Sequence, residues 1–99
     1  MQSMISSPEL IEKEQIPDLK FGQEDVLKDP QARKKRLQDV SRATSLGNGY
    51  HGKVEITFQT SNGEQKRVVT TIWDFDQEYI ILKSGASMPV KAVTQLEFF

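Results

Sequence analysis

The stretch FDQEYIILK, Phe75 to Lys83, decides how the second half of this chain is read. It follows a β-branched run, KRVVTTIW, that ends at Trp73, and in it Asp76 and Glu78 stand directly ahead of the apolar block Tyr79 to Leu82. Asp74 to Glu78 reads as a chain reversal, because an aspartate at position 76 can accept backbone N–H groups and lock a turn. Tyr79 to Lys83 then reads as the returning strand, refilling the core from the next position in a sheet.

Working back from this joint, the period from Lys53 is two. Val54, Ile56 and Phe58 point one way and Glu55, Thr57 and Gln59 the other, as a half-buried strand requires. Ser61-Asn62-Gly63-Glu64 supplies a tight hairpin turn, since Asn-Gly accepts positive φ. KRVVTTIW reads as one long second strand. Working forward, Ser84-Gly85 is another turn, followed by short strands near Met88 to Val90 and Thr94 to Phe99. Pro89 cannot donate to a ladder, which places it at an edge or a bulge. Five short antiparallel strands with tight turns predict a small closed or nearly closed barrel, an all-β fold preceded by one helix.

That helix begins at Asp29-Pro30, where Asp29 can accept first-turn N–H groups and Pro30 has none to leave unpaired. It is expected over residues 30 to 45, with Leu37, Val40 and Ala43 as an apolar stripe and Arg33, Lys34, Lys35 and Arg36 crowded into one turn. The glycines of LGNGYHG should end it. Residues 1 to 29 carry Pro8 and Pro17 and no sustained period. Ser7-Pro8 can start a short helix, which Pro17 would stop. The segment reads as a mobile or partner-ordered acidic arm, with docking through Leu10, Ile11, Ile16 and Leu19 as the alternative. The domain proper is residues 30 to 99.

The 99 residues suffice for one domain. A core of this size leaves stability marginal, which favours self-association. The net charge of −1 conceals a division. Residues 1 to 29 hold 3 basic and 7 acidic side chains, residues 30 to 46 hold 5 and 1, and residues 47 to 99 hold 5 and 6. Only the middle segment offers a positive field to a polyanion, unless the acidic arm takes it up first. With no cysteine, disulfides, thiolate nucleophiles and cysteine-based zinc sites are excluded, and a reducing, cytoplasmic setting is expected. No apolar run approaches the ~18 residues of a membrane span, and the first residues lack the pattern of a secretion signal.

No catalytic constellation assembles. His51 is the only histidine and reads as a solvated loop residue. Asp74, Asp76 and Glu78 lack the central glycine and distant glutamate of a calcium loop. Trp73 and Phe75, two apart, read as core or as a stacking platform for single-stranded nucleic acid. The chain is therefore expected to be no enzyme, with no cofactor, metal or small-molecule substrate.

FDQEYIILK resembles the first conserved block of the Sm-like fold, most closely that of bacterial Sm-like RNA chaperones of the Hfq type. The likeness is ungapped from Phe75 to Lys83 and extends loosely over residues 30 to 99, with Lys91-Ala92-Val93-Thr94 at the approach to the last strand. It implies a five-stranded Sm-like or SH3-like barrel. It further implies RNA contacts through Gln77, which matches the family's base-holding glutamine, through Lys91, and through a basic rim patch resembling Arg33, Lys34, Lys35 and Arg36. The family's stacking aromatic is replaced here by Glu78. Two functions are thus expected: RNA binding through these residues, or self-association and protein contact through an apolar terminal edge of Leu96, Phe98 and Phe99.

Overall fold

A computed structural model of the chain describes residues 8–50 and 52–99. Among the described residues there are seven strands and one long helix: β1 (Glu9–Leu10), α1 (Pro30–Tyr50), β2 (Val54–Gln59), β3 (Gln65–Thr70), β4 (Ile72–Phe75), β5 (Tyr79–Leu82), β6 (Ser87–Pro89) and β7 (Val93–Phe98). A 3₁₀ turn spans Lys13–Asp18 and a second spans Val90–Ala92. The expected helix start at Ser7 lies outside the described residues, and from Glu9 the chain is strand.

The strands form two sheets, ordered β1-β3-β2-β7 and β4-β5-β6, and the sheets do not close on one another. The expected five-stranded all-β barrel is therefore corrected to a mixed α/β arrangement. Three local events account for it. The run read as one long strand breaks at Thr71, whose carbonyl accepts the Lys83 N–H at 2.9 Å, so β3 and β4 belong to different sheets. The β4–β5 ladder slips between Ile72 and Asp74. The Val90–Ala92 turn then redirects the chain, so that β7 pairs with β2 across a bulge at Thr57/Phe58.

Alternation within the strands survives this rearrangement. Val54, Ile56, Phe58, Val68, Ile80 and Leu82 are fully buried. The Asn62-Gly63 turn forms as expected, with Gly63 at φ 89°. At the joint between β4 and β5, Asp76 Oδ1 accepts the N–H groups of Glu78 at 2.7 Å and Tyr79 at 2.8 Å. These bonds, Tyr79's first, hold the Asp76 carboxyl below its usual range.

Helix α1 starts where Asp29-Pro30 indicates, with the Asp29 carboxylate accepting the Gln31 N–H at 3.2 Å. It buries Val40 and Ala43 against the core, where α1 packs on β4 and β7. It also runs five residues past its expected end, through Gly47, Asn48 and Gly49 to Tyr50. Close packing explains the glycine. A Cβ at Gly47 would sit 2.3 Å from the Ile72 carbonyl oxygen and 2.8 Å from Thr71 Cγ2.

This contact fixes the sign of a substitution. Helix propensity alone favours Gly47→Ala by about 1 kcal/mol. The clash with a sheet carbonyl reverses this, and a net loss of about 1–3 kcal/mol is expected in urea unfolding. Gly49→Ala meets nothing within 4 Å and should stabilise by up to about 1 kcal/mol. An unchanged or raised midpoint for Gly47→Ala would remove the close-packing account.

The segment read as a mobile arm is, from Pro8 onward, fastened to the domain. β1 pairs in parallel with β3, and the Ile11 N–H donates to the Arg67 carbonyl at 2.9 Å. Ile16 is 1% exposed, and the Phe21 ring lies 5.9 Å from that of Phe58. The alternative docking residues thus divide: Ile11 and Ile16 are buried and Leu19 packs on the core, while Leu10 is exposed.

Candidate interaction surfaces

The basic turn of α1 faces inward more than the sequence suggests. Arg36 is buried, and its guanidinium grips Asp25 through two hydrogen bonds, Nη1 to Oδ1 at 2.8 Å and Nη2 to Oδ2 at 2.6 Å. Nη1 also donates to the Val93 carbonyl at 3.0 Å, while Nε has no partner. Burial opposes the charge on Asp25. The Arg36 hydrogen bond, the Leu27 N–H and the charges of Arg36 and Arg33 outweigh it and hold this carboxyl below its ordinary range.

Arg33 donates to the Leu27 carbonyl at 2.7 Å and lies 3.4 Å from Asp25. Lys35 pairs with Asp39 at 2.6 Å. The Lys34 side chain alone of the four makes no ion pair or hydrogen bond among the described residues. The expected RNA contact at Arg36 is corrected: a buried guanidinium closed by Asp25 cannot meet a phosphate.

The other expected RNA residues lie apart from this turn. Gln77 is exposed on the β4–β5 turn. Lys91 is half-buried, and its Nζ donates to the Gln23 carbonyl at 2.7 Å. Near Lys91 an open groove of about 960 Å³ runs between the arm and the β5–β6 hairpin, lined among others by Ile16, Phe21, Tyr79 and Pro89. Trp73 and Phe75 have separate fates, the first 46% exposed and the second packed against the core. His51 lies outside the described residues. Among the described residues, no three His, Cys, Asp or Glu side chains converge to hold a metal, and no helix is long and apolar enough to cross a membrane.

The terminal strand differs in detail from its expected form. Leu96 is 8% exposed and belongs to the core, so its side chain is no part of an outer edge. Phe98 is half-buried, with the Arg42 guanidinium carbon 4.4 Å from its ring centre. Phe99 is 83% exposed.

What β7 does present is backbone. The Thr60 N–H bonds to the Glu64 carbonyl, which sets the phase of the β2–β3 ladder: Val54, Ile56 and Phe58 direct their polar groups at β3, and Glu55 and Thr57 direct theirs at β7. The partners of those two, Glu97 and Gln95, turn their groups to β2. Leu96 and Phe98 consequently turn N–H and C=O away from the sheet, and among the described residues nothing bonds them.

The other edges are protected. β1 has two residues. β4 packs against α1 more extensively than β7 does. The Val90 N–H to Glu78 and the Leu82 N–H to the Ala86 carbonyl set the phase of β6, so that Ser87 and Pro89 face outward, and Pro89 has no N–H to give. The Lys13–Asp18 turn also packs beside β6. Sequence reasoning found the terminal strand and its exposed Phe99 but counted Leu96, whose side chain is buried, among the edge residues. It also missed Asp25 and Arg67 as fasteners, although the opposite charges of residues 1 to 29 and 30 to 46 were a signal for the first. Comparison of the chain with protein-family models, with curated proteins and with solved structures finds no significant match.

Proposed function

We propose that this chain is a non-catalytic interaction module that associates with copies of itself through the outer edge of β7. One observation carries the reading: Leu96 and Phe98 direct unbonded N–H and C=O groups off a six-residue edge strand, beside an exposed Phe99. An edge of this length is a template for another strand, and natural sheets shorten, cover or charge such edges when they are to stay single. Burial of the Phe99 side chain would add about 1.5–3 kcal/mol per copy. A cytoplasmic setting suits a chain without cysteine.

The RNA-binding alternative has less support, because Arg33, Lys35 and Arg36 are held by Asp25, Asp39 and Leu27. The reading also stands without the Sm-like resemblance. Light scattering across a concentration series tests it. A discrete oligomer is expected, and Phe99→Ser should weaken association at least tenfold. A single monomeric species at high concentration would overturn the reading. Retention on mixed RNA at low salt that collapses as salt rises would favour the alternative.

A further inference from the structure

We propose that the associating unit is a twofold dimer in which β7 pairs antiparallel with β7 of a second copy, Leu96 opposite Leu96. The inference rests on the self-association reading and specifies its partner and register.

An antiparallel ladder needs N–H and C=O from the same residue on each side, which is what Leu96 and Phe98 offer outward. The outward phase allows only registers that set even positions of one copy against even positions of the other. Three of these keep the strands overlapped. With Leu96 opposite Thr94, Phe98 falls opposite Ala92 in the Val90–Ala92 turn, and its outward N–H and C=O stay unpaired. With Leu96 opposite Phe98, Glu97 falls directly opposite Glu97 of the second copy, at the short spacing of a non-hydrogen-bonded pair, and like charges there are destabilising. With Leu96 opposite Leu96, each Glu97 meets the neutral Gln95 of the other chain, and each Phe98 comes opposite Thr94.

The length of the strand and the charge of Glu97 therefore select the register with Leu96 opposite Leu96. Glu55, already the cross-strand neighbour of Glu97 within one chain, reinforces the choice, since Glu97 opposite Glu97 would put four carboxylates in a row across the joined sheet. Glu55 itself is engaged by Arg67 at 3.2 Å. A head-to-tail assembly through β6 is disfavoured, because Pro89 removes a donor from that edge and the Lys13–Asp18 turn packs beside it. The twofold pairing joins two four-stranded sheets into one continuous layer and leaves neither β7 exposed.

The chain contains no cysteine, so introduced thiols report without background. Gln95 and Glu97 are both exposed, so replacing them leaves the core untouched. In the proposed register the Cα atoms of position 95 and position 97 of the other copy lie about 4.5 Å apart, within disulfide reach. Like positions lie about 8 Å apart, beyond it. Gln95→Cys and Glu97→Cys chains are refolded together and oxidised mildly. The mixture should crosslink at least tenfold faster than Gln95→Cys alone. Fastest crosslinking of Gln95→Cys alone, which keeps Glu97 on both copies, would overturn the register. An oligomer seen by light scattering with no 95–97 crosslink would overturn the dimer geometry while leaving self-association standing, and a monomer at every concentration would remove both.

Discussion

Asp25→Ala is expected to destabilise the fold by about 4–5 kcal/mol and Arg36→Ala by about 3 kcal/mol, the former approaching the whole stability of a small domain. The asymmetry follows from chemistry. Without Asp25 the guanidinium of Arg36 stays charged, since it cannot lose its proton in a protein, and it stays buried with the Val93 carbonyl as its remaining close acceptor. Without Arg36, Asp25 keeps contact with water and with Arg33 at 3.4 Å, and can in the last resort protonate. Replacing both by leucine should cost less than the sum of the single changes, because no charge is left unpaired.

Acidity provides an independent readout of the same pair. The Asp25 carboxyl sits below its ordinary value of 3.8 in the folded chain. Its contribution is therefore present above the unfolded value and is lost as pH falls through the folded one, a window that lies below about pH 4. Urea midpoints at pH 7 and pH 3 should converge between the parent and Arg36→Ala as this contribution is lost. Equal sensitivity of both proteins to acid would show that the pair does not stabilise the fold.

The same pair marks where sequence reading succeeds and where it stops. Val54, Ile56 and Phe58 were legible because alternation is a local property, and Asn62-Gly63 and Asp76 were legible because a tight turn requires particular side chains within a few residues. The break at Thr71 was not legible. KRVVTTIW carries no glycine or proline, and the strand divides because Lys83, twelve positions on, takes the Thr71 carbonyl. Gly47 misled for a related reason. Its role in a contact between α1 and Ile72 outweighs its local preference to end a helix. At the candidate surface, the terminal strand was found from its apolar letters, but the hydrogen-bond phase that exposes the backbone of Leu96 and buries its side chain comes from the hairpin at Thr60, 36 positions earlier. Single-sequence patterns cannot transmit phase over that distance.

Ile16→Ala is expected to cost about 3 kcal/mol, and this separates an integral arm from an ornamental one. Ile16 lies in the Lys13–Asp18 turn and is 1% exposed, so truncation removes apolar area and leaves a cavity that the rigid Pro17 backbone beside it is slow to close. Leu10, 54% exposed in the same segment, is the internal control, and Leu10→Ala should change stability by less than about 0.5 kcal/mol. Association would add to any midpoint at working concentrations, so both variants belong in a Phe99→Ser background. The urea slope carries the second half of the test. If residues 11 to 26 unfold with the body, as the Ser61 N–H to Lys20 and Val26 N–H to Lys91 bonds imply, the slope is unchanged and only the midpoint moves. A smaller slope with an unchanged midpoint would mean that the arm detaches on its own, and Ile16 would then stabilise a separable strap in place of the core.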